Sequence, residues 1–334
     1  MPEKRRVAVL ASNAFSAAHF VDLLLEDPSY SVLGVSRSAE YPDCMLAYKR
    51  HAKPDFRFAR LDLGRDLAQV MAELDSFKPD YVVNFAAQGE VASSFAHPED
   101  HYQTNTLAMV RLTNALRTRD WLKRYVHIST PEVYGTCEGR ITEEQRFNPS
   151  SPYAASKAGG DLHNTVLAKT YGFPVVTIRA TNVYGPHQQL YRIIPRTAIY
   201  IKLGRKLTLH GGGRAVKSYI HIRDVSEGEK AAMLSGRAGE VYHLSPDGDG
   251  VSVRTVVETV CEFMGRRFED CVEMGEDRIG QDKAYIIDSA RARSELGWKP
   301  WIGFRDGVRE TIEWIERDWD TIRALPLDYQ HIAS

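Results

Sequence analysis

The chain has 334 residues, 43% of them apolar, and a formal net charge of −1. That length and apolar share suit one large α/β domain or two lobes sharing a cleft, and exclude a disordered or fibrous chain. A near-balanced charge without lysine or arginine runs excludes a nucleic-acid arm or membrane-surface helix, and no apolar stretch is long enough to span a bilayer, so small molecules are the expected partners.

Met1-Pro2-Glu3-Lys4-Arg5-Arg6 leads into a short apolar strand rather than a signal-peptide core. Val7-Ala8-Val9-Leu10 is that strand, a helical pattern follows through His19 to Leu25, and the run from Tyr30 to Val35 reads as a second strand. The rhythm repeats at Asp80–Phe85, Tyr125–Ser129 and Pro174–Arg179, separated by helical stretches such as 101–119 and 153–171. Short buried strands alternating with helices predict a Rossmann-type, doubly wound parallel sheet covered on both faces. Beyond about residue 180 the pattern loosens, with Gly211-Gly212-Gly213 at a turn and a charged helical tail. We expect a dinucleotide-binding domain over 1–180 that carries the catalytic residues, and a smaller substrate-binding lobe over 181–330 that returns strands to the main sheet. Cys44, Cys137, Cys261 and Cys271 are scattered without metal-ligand spacing, so a reduced, cytoplasmic protein without a metal site is expected.

The turn after the first strand is where a dinucleotide pyrophosphate would sit, and it reads Ala11-Ser12-Asn13-Ala14-Phe15-Ser16-Ala17, with alanine at all three positions where such loops carry glycine. Each methyl costs on the order of 1 kcal/mol wherever its position needs the left-handed conformation. The helix N-terminus still offers free N–H groups, and the side chains of Ser12 and Asn13 are expected to replace part of the lost contact. A loop that has lost its cofactor is the competing reading. After the second strand stands Ser36-Arg37-Ser38, where a carboxylate would normally meet the ribose hydroxyls of NAD. Arginine and serine suit a 2′-phosphate instead, which favours NADP with NAD possible. Asp62, after the third strand, is placed either against adenine or as a helix cap.

Thr130, Glu132, Tyr153 and Lys157 supply a hydroxyl, a carboxylate, a phenol and a cation at one strand end and one helix. Tyr153 and Lys157 are one helical turn apart, so both project from the same face. The ammonium then favours the phenolate, bringing a group of ordinary pKa about 10 toward neutrality, where it can take a proton from a sugar hydroxyl.

With Asn84-Phe85-Ala86-Ala87, Ser129-Thr130-Pro131-Glu132-Val133-Tyr134-Gly135 and the Tyr153/Lys157 pair in order, the chain resembles an extended short-chain dehydrogenase/reductase, and more narrowly the nucleotide-sugar 4,6-dehydratases. Thr181-Asn182-Val183-Tyr184-Gly185-Pro186-His187-Gln188 looks like that group's substrate loop, with counterparts at Asp277–Asp282 and Glu295–Pro300. The resemblance implies that Tyr153 takes the 4-hydroxyl proton while the cofactor takes hydride from C4. Glu132 then removes the C5 proton, the 6-hydroxyl leaves as water, and the hydride returns to C6 to give a 4-keto-6-deoxy sugar. Thr130 matches the hydroxyl that binds the 4-oxygen, and Lys157 the cation that also contacts the nicotinamide ribose. It further implies cofactor contacts at Leu63, Phe85, Ala86, Ala87 and Asn105, and substrate contacts at Gln88, Glu90, Asn182, Arg192, Lys217 and Arg278. A nucleotide-diphosphate sugar is the implied partner, and a homodimer joined through 101–119 and 153–171 the implied assembly.

Three departures from the family pattern stand out. Pro131 replaces the aspartate that protonates the departing hydroxyl in the thymidine-linked enzymes; the guanosine-linked ones also lack it, and Glu132 can serve as base and then acid. Cys137 is a remoter acid. Ala86-Ala87-Gln88-Gly89-Glu90 lacks the usual histidine, and Lys217 stands where a diphosphate-binding arginine is common. A decarboxylase of nucleotide-linked glucuronate, a 5,6-dehydratase and a 4-epimerase remain enzyme alternatives, and a nucleotide-sugar-binding protein with a degraded loop the non-enzyme one.

Overall fold

The computed structural model describes residues 4–51, 55–137, 139–276 and 286–333. Seven strands form one sheet: β1 (Arg5–Leu10), β2 (Tyr30–Ser36), β3 (Phe56–Arg60), β4 (Tyr81–Asn84), β5 (Arg124–Ile128), β6 (Val175–Ala180) and β7 (Val241–Leu244). Their order is β7-β6-β5-β4-β1-β2-β3 and every pairing is parallel, with Val7 opposite both Val32 and Tyr81. The central strands are almost continuously apolar because helices bury both faces. The order reverses direction between β1 and β4, which opens a crevice at their carboxyl ends.

The helices that matter to that crevice are α1 (Phe15–Leu25), α2 (Leu67–Phe77), α3 (Val91–Ala96), α4 (Pro98–Tyr102), α5 (Met109–Leu116), α6 (Pro152–Tyr171), α7 (Ile193–Lys202) and α8 (Ile222–Ser235). Between α4 and α5 the turn widens to a π-helix over Gln103–Ala108, so the helical stretch expected over 101–119 is a continuous but irregular rod. Apolar side chains of α1 and α8, including Phe20, Val21, Val225 and Met233, fill one side of the sheet; Leu74, Leu112, Leu116 and Leu167 fill the other. Glycine is required at Gly34 in β2, where a Cβ would lie 2.7 Å from Ser12 Oγ and 2.9 Å from the Phe56 ring. The chain beyond residue 180 covers the crevice with α7, while β7 returns to the sheet edge beside β6.

Candidate active site

Thr130 leaves β5 in an extended conformation and caps the short 3-10 turn Pro131–Tyr134, its hydroxyl accepting the Glu132 N–H at 3.3 Å. The same turn therefore carries Glu132 out over the strand end. Ser151 caps α6 by accepting the Ala154 N–H at 3.2 Å, and Pro152 occupies the first helical position, where its missing N–H is not needed. These two caps bring Thr130, Glu132 and Tyr153 to one wall of a cavity of about 800 Å³.

Lys157 is 2% exposed and its Nζ donates to Ile128 O at 2.7 Å. Burial pushes its ammonium down to about 8, opposed by the charge of Asp161. The expected shift of Tyr153 toward the phenolate is not found. Burial, and next the Glu132 carboxylate, raise the phenol above its ordinary value, with the Thr130 hydroxyl pulling the other way. The lysine is bonded to a carbonyl rather than to the phenol, so the cation does not offset desolvation in the free protein.

Beneath this pair lies a buried polar network that the sequence reading missed. Asp161 accepts from His127 at 3.1 Å, Ser129 at 2.6 Å and Arg179 at 2.7 Å, and Arg179 donates to Tyr134, whose hydroxyl meets His243 at 2.7 Å. Burial opposes ionisation of Asp161, but Arg179 and His127 outweigh it and hold the carboxyl below the usual range. The signal was an aspartate four residues after Lys157 on the same helix.

At the first turn, only one of the three alanines bears the conformational cost. Ala11 has φ 60°, the left-handed region, whereas Ala14 is an extended N-cap with φ −68° and Ala17 is fully buried inside α1. The first turn of α1 has no side-chain cap and no acidic residue, so its N–H groups are open to an anion. Ser12 and Asn13 are not the substitute phosphate donors expected. Ser12 is fully buried with its Oγ 3.4 Å from Ser36 Oγ, and Asn13 Nδ2 donates to Ser38 O, Ser38 Oγ and Ala39 O, the last at 2.7 Å. Both side chains tie this turn to the end of β2.

The Ser36-Arg37-Ser38 expectation is likewise narrowed to Arg37. Ser36 accepts the Asn13 N–H at 3.0 Å and Ser38 is held by Asn13, while Arg37 is exposed. Ser36, Arg37, Asp62, Leu63, Ala86 and Ala87 line a second cavity of about 200 Å³ that Ala11 also borders. Asp62 Oδ1 accepts the N–H groups of Gly64 and Arg65 at 2.7 and 3.2 Å, so it caps its own turn. The Phe85 side chain packs into the core against Phe20. Asn105 is 1% exposed and spends its amide on the Gln88 backbone and Ser156 Oγ; it braces the site rather than lining it.

Of the expected substrate residues, Glu90, Asn182, Arg192 and Lys217 line the larger cavity, as does Phe15 from the first turn. Glu90 and Arg192 face each other at 3.5 Å, and Asn182 Nδ2 donates to Ser218 O at 3.2 Å. Gln88 turns away: its Nε2 donates to Ile332 O at 2.7 Å, because the C-terminal segment lies over that loop. Arg278 lies outside the described residues. Cys137 donates to Tyr134 O at 3.4 Å.

The open helix N-terminus, the two cavities meeting at the first turn and the acid/base wall fit a nicotinamide dinucleotide laid across the strand ends, with a second elongated ligand in the larger cavity. The comparisons agree. Residues 15–311 match the family model described as GDP-mannose 4,6 dehydratase. A dTDP-glucose 4,6-dehydratase of Xanthomonas campestris pv. campestris is 33% identical over 278 residues, covering 78% of this chain and 79% of that protein. A crystal structure of the dTDP-glucose 4,6-dehydratase of Streptomyces venezuelae with NAD bound superposes with a TM-score of 0.87 at 30% identity, covering 95% of this chain and 98% of that one. The Bacillus anthracis dTDP-glucose 4,6-dehydratase in complex with NAD gives 0.85 at 27% identity, covering 95% and 98%.

Proposed function

Because the chain belongs to the GDP-mannose 4,6-dehydratase family of extended short-chain dehydrogenases/reductases, we propose that it is an NAD(P)-dependent nucleotide-sugar 4,6-dehydratase. The observation that carries this reading is Glu132 beside Tyr153 on one cavity wall, close enough for the carboxylate to act on the phenol. Simple oxidation or epimerisation at C4 needs the tyrosine; elimination across C5 and C6 needs the second base as well.

A nicotinamide dinucleotide held at the open first turn of α1 and the smaller cavity would supply the hydride acceptor and donor this reaction needs. The chain's own residues handle the protons. Tyr153 takes the 4-hydroxyl proton, with Thr130 holding the 4-oxygen and Lys157 supplying positive charge behind the phenol. The ketone acidifies C5, and Glu132 removes that proton. With Pro131 in place of a carboxylic acid, Glu132 then passes the same proton to the departing 6-hydroxyl, which leaves as water. C5 must regain one proton, and the one held by Tyr153 balances it. The net change is loss of one water.

Arg37 and the absence of a carboxylate at the end of β2 support NADP over NAD, although the solved relatives above hold NAD. Glu90, Asn182, Arg192 and Lys217 are proposed to hold the sugar and diphosphate. A homodimer is supported by the apolar residues exposed along the helices expected to pair: Leu162 and Val166 one turn apart on α6, with Tyr171, Tyr102 and Leu107. Four free cysteines and no described helix apolar enough to cross a membrane support a cytoplasmic setting. The function is tested by mass spectrometry of NADP or NAD incubations with glucose-, mannose-, N-acetylglucosamine- and glucuronate-linked nucleotides. Loss of one water from a single sugar supports it; loss of carbon dioxide, or an unchanged mass throughout, rejects it.

A further inference from the structure

Two residues that line the larger cavity carry buried polar atoms with no partner among the described residues. Glu229, on α8, is 1% exposed yet lines this cavity, and its Oε2 has no hydrogen-bond partner among the described residues. Thr181, the residue after β6, is 4% exposed and lines the same cavity, and its Oγ1 has no hydrogen-bond partner among the described residues. Phe15, Ile128, Ala180 and Val225 around them are apolar. A buried polar group left unsatisfied is costly, so two of them on residues that line one cavity point to a polar group held beside them.

The sheet order says what arrives there. The cavity bordered by Arg37 and Asp62 lies over β2 and β3, and the Glu229 end of the larger cavity lies over β5 and β6, on the other side of the reversal between β1 and β4. A dinucleotide with its pyrophosphate at the N-terminus of α1 therefore carries its adenosine to the first and its nicotinamide to the second. Burial, with no cation to offset it, raises the Glu229 carboxyl well above the usual range and so favours its neutral form. A neutral carboxyl presents one donor and one acceptor, and a threonine hydroxyl adds another of each; a primary carboxamide is their complement.

We propose that Glu229 and Thr181 hold the carboxamide of the bound nicotinamide and so fix which face of the ring turns toward Tyr153. Glu229 is then a positioning residue for the hydride transfer rather than a proton-transfer group. The inference rests on the dinucleotide reading above.

The test compares calorimetric affinities for NAD and NADP with those for ADP-ribose and its 2′-phosphate, which lack only the nicotinamide. Glu229→Leu and Thr181→Val are each expected to weaken dinucleotide binding about tenfold and to leave the nicotinamide-free ligands within about twofold, the scale of one lost hydrogen bond. Glu229→Gln keeps a donor and an acceptor and is expected to stay within about threefold of the parent for every ligand. Equal losses on both ligand types, or unchanged dinucleotide affinity in both Glu229→Leu and Thr181→Val, overturn the proposal. A parent protein that binds neither ligand type overturns the dinucleotide reading and this inference together; a parent that binds dinucleotide with no change in those two variants overturns this inference alone.

Discussion

Lys157 donates a 2.7 Å hydrogen bond from its ammonium to the carbonyl of Ile128, the last residue of β5. The bond pins one turn of α6 to the strand end and spends the cation on a carbonyl. Burial lowers the ammonium from its ordinary 10.5 to about 8, so the folded protein sheds between pH 8 and 10.5 a proton that the unfolded chain keeps. The buried cation therefore costs stability below pH 8, and that cost is relieved as pH rises through the window. Activity moves the opposite way. Loss of the charge removes support for the phenolate, so kcat/KM is expected to fall on the alkaline side with an apparent pKa near 8. In Lys157→Arg, whose charge persists beyond pH 12, that alkaline limb should vanish even though the rate is lower. Its persistence would assign the limb to another group.

Glu132→Gln removes the C5 base and leaves Tyr153, Thr130 and the cofactor site in place. Product formation should fall by roughly 10²–10⁴-fold, the range for a lost general base. Oxidation at C4 should survive, so a single turnover should leave reduced nicotinamide absorbing near 340 nm. A variant with normal product formation would remove Glu132 from the chemistry.

Ala11 is one of three non-glycine residues with positive φ among those described, at 60°. Relieving that conformation in Ala11→Gly should stabilise the fold by about 1 kcal/mol, less than the full left-handed penalty because glycine gains freedom when unfolded. Urea denaturation reads this as a higher midpoint at unchanged slope. Tighter dinucleotide binding should accompany it, since the methyl borders the smaller cavity.

Asp161 anchors the buried network, and Asp161→Ala leaves Arg179 charged, 2% exposed and without its carboxylate. Destabilisation of about 3–5 kcal/mol is expected, read from the denaturation midpoint. Because the folded carboxyl titrates below its unfolded value, its contribution is present above about pH 4 and disappears as pH falls through the folded value. The parent should therefore lose stability in acid more steeply than the variant.

The fold, and the gathering of Thr130, Glu132 and Tyr153 at one strand end, were legible because both depend on short-range spacing. Apolar strands alternating with helices specify a parallel sheet, and Tyr153, Lys157, Thr130 and Glu132 are positioned by caps within a few residues of each. What escaped depends on side-chain direction across long separations. Asn13 reads as a phosphate donor until Ser38 and Ala39, 25 and 26 residues on, claim its amide. Gln88 reads as a sugar contact until Ile332 arrives 244 residues later to accept from it. Glu229 sits in the run Glu227-Gly228-Glu229-Lys230, and it is the packing of α8 on the sheet that turns this carboxyl inward. An alanine in the first loop bears a cost only where its position needs the left-handed conformation, and backbone geometry puts that at Ala11 and not at Ala14 or Ala17.

The most direct test of dehydration is to supply the accepted nucleotide sugar with deuterium at C4 and locate the label in the product. The account predicts a product lighter by one water, with the deuterium at C6 of the same molecule. A product of unchanged mass with the label at an inverted C4, or one that has lost carbon dioxide, would contradict it.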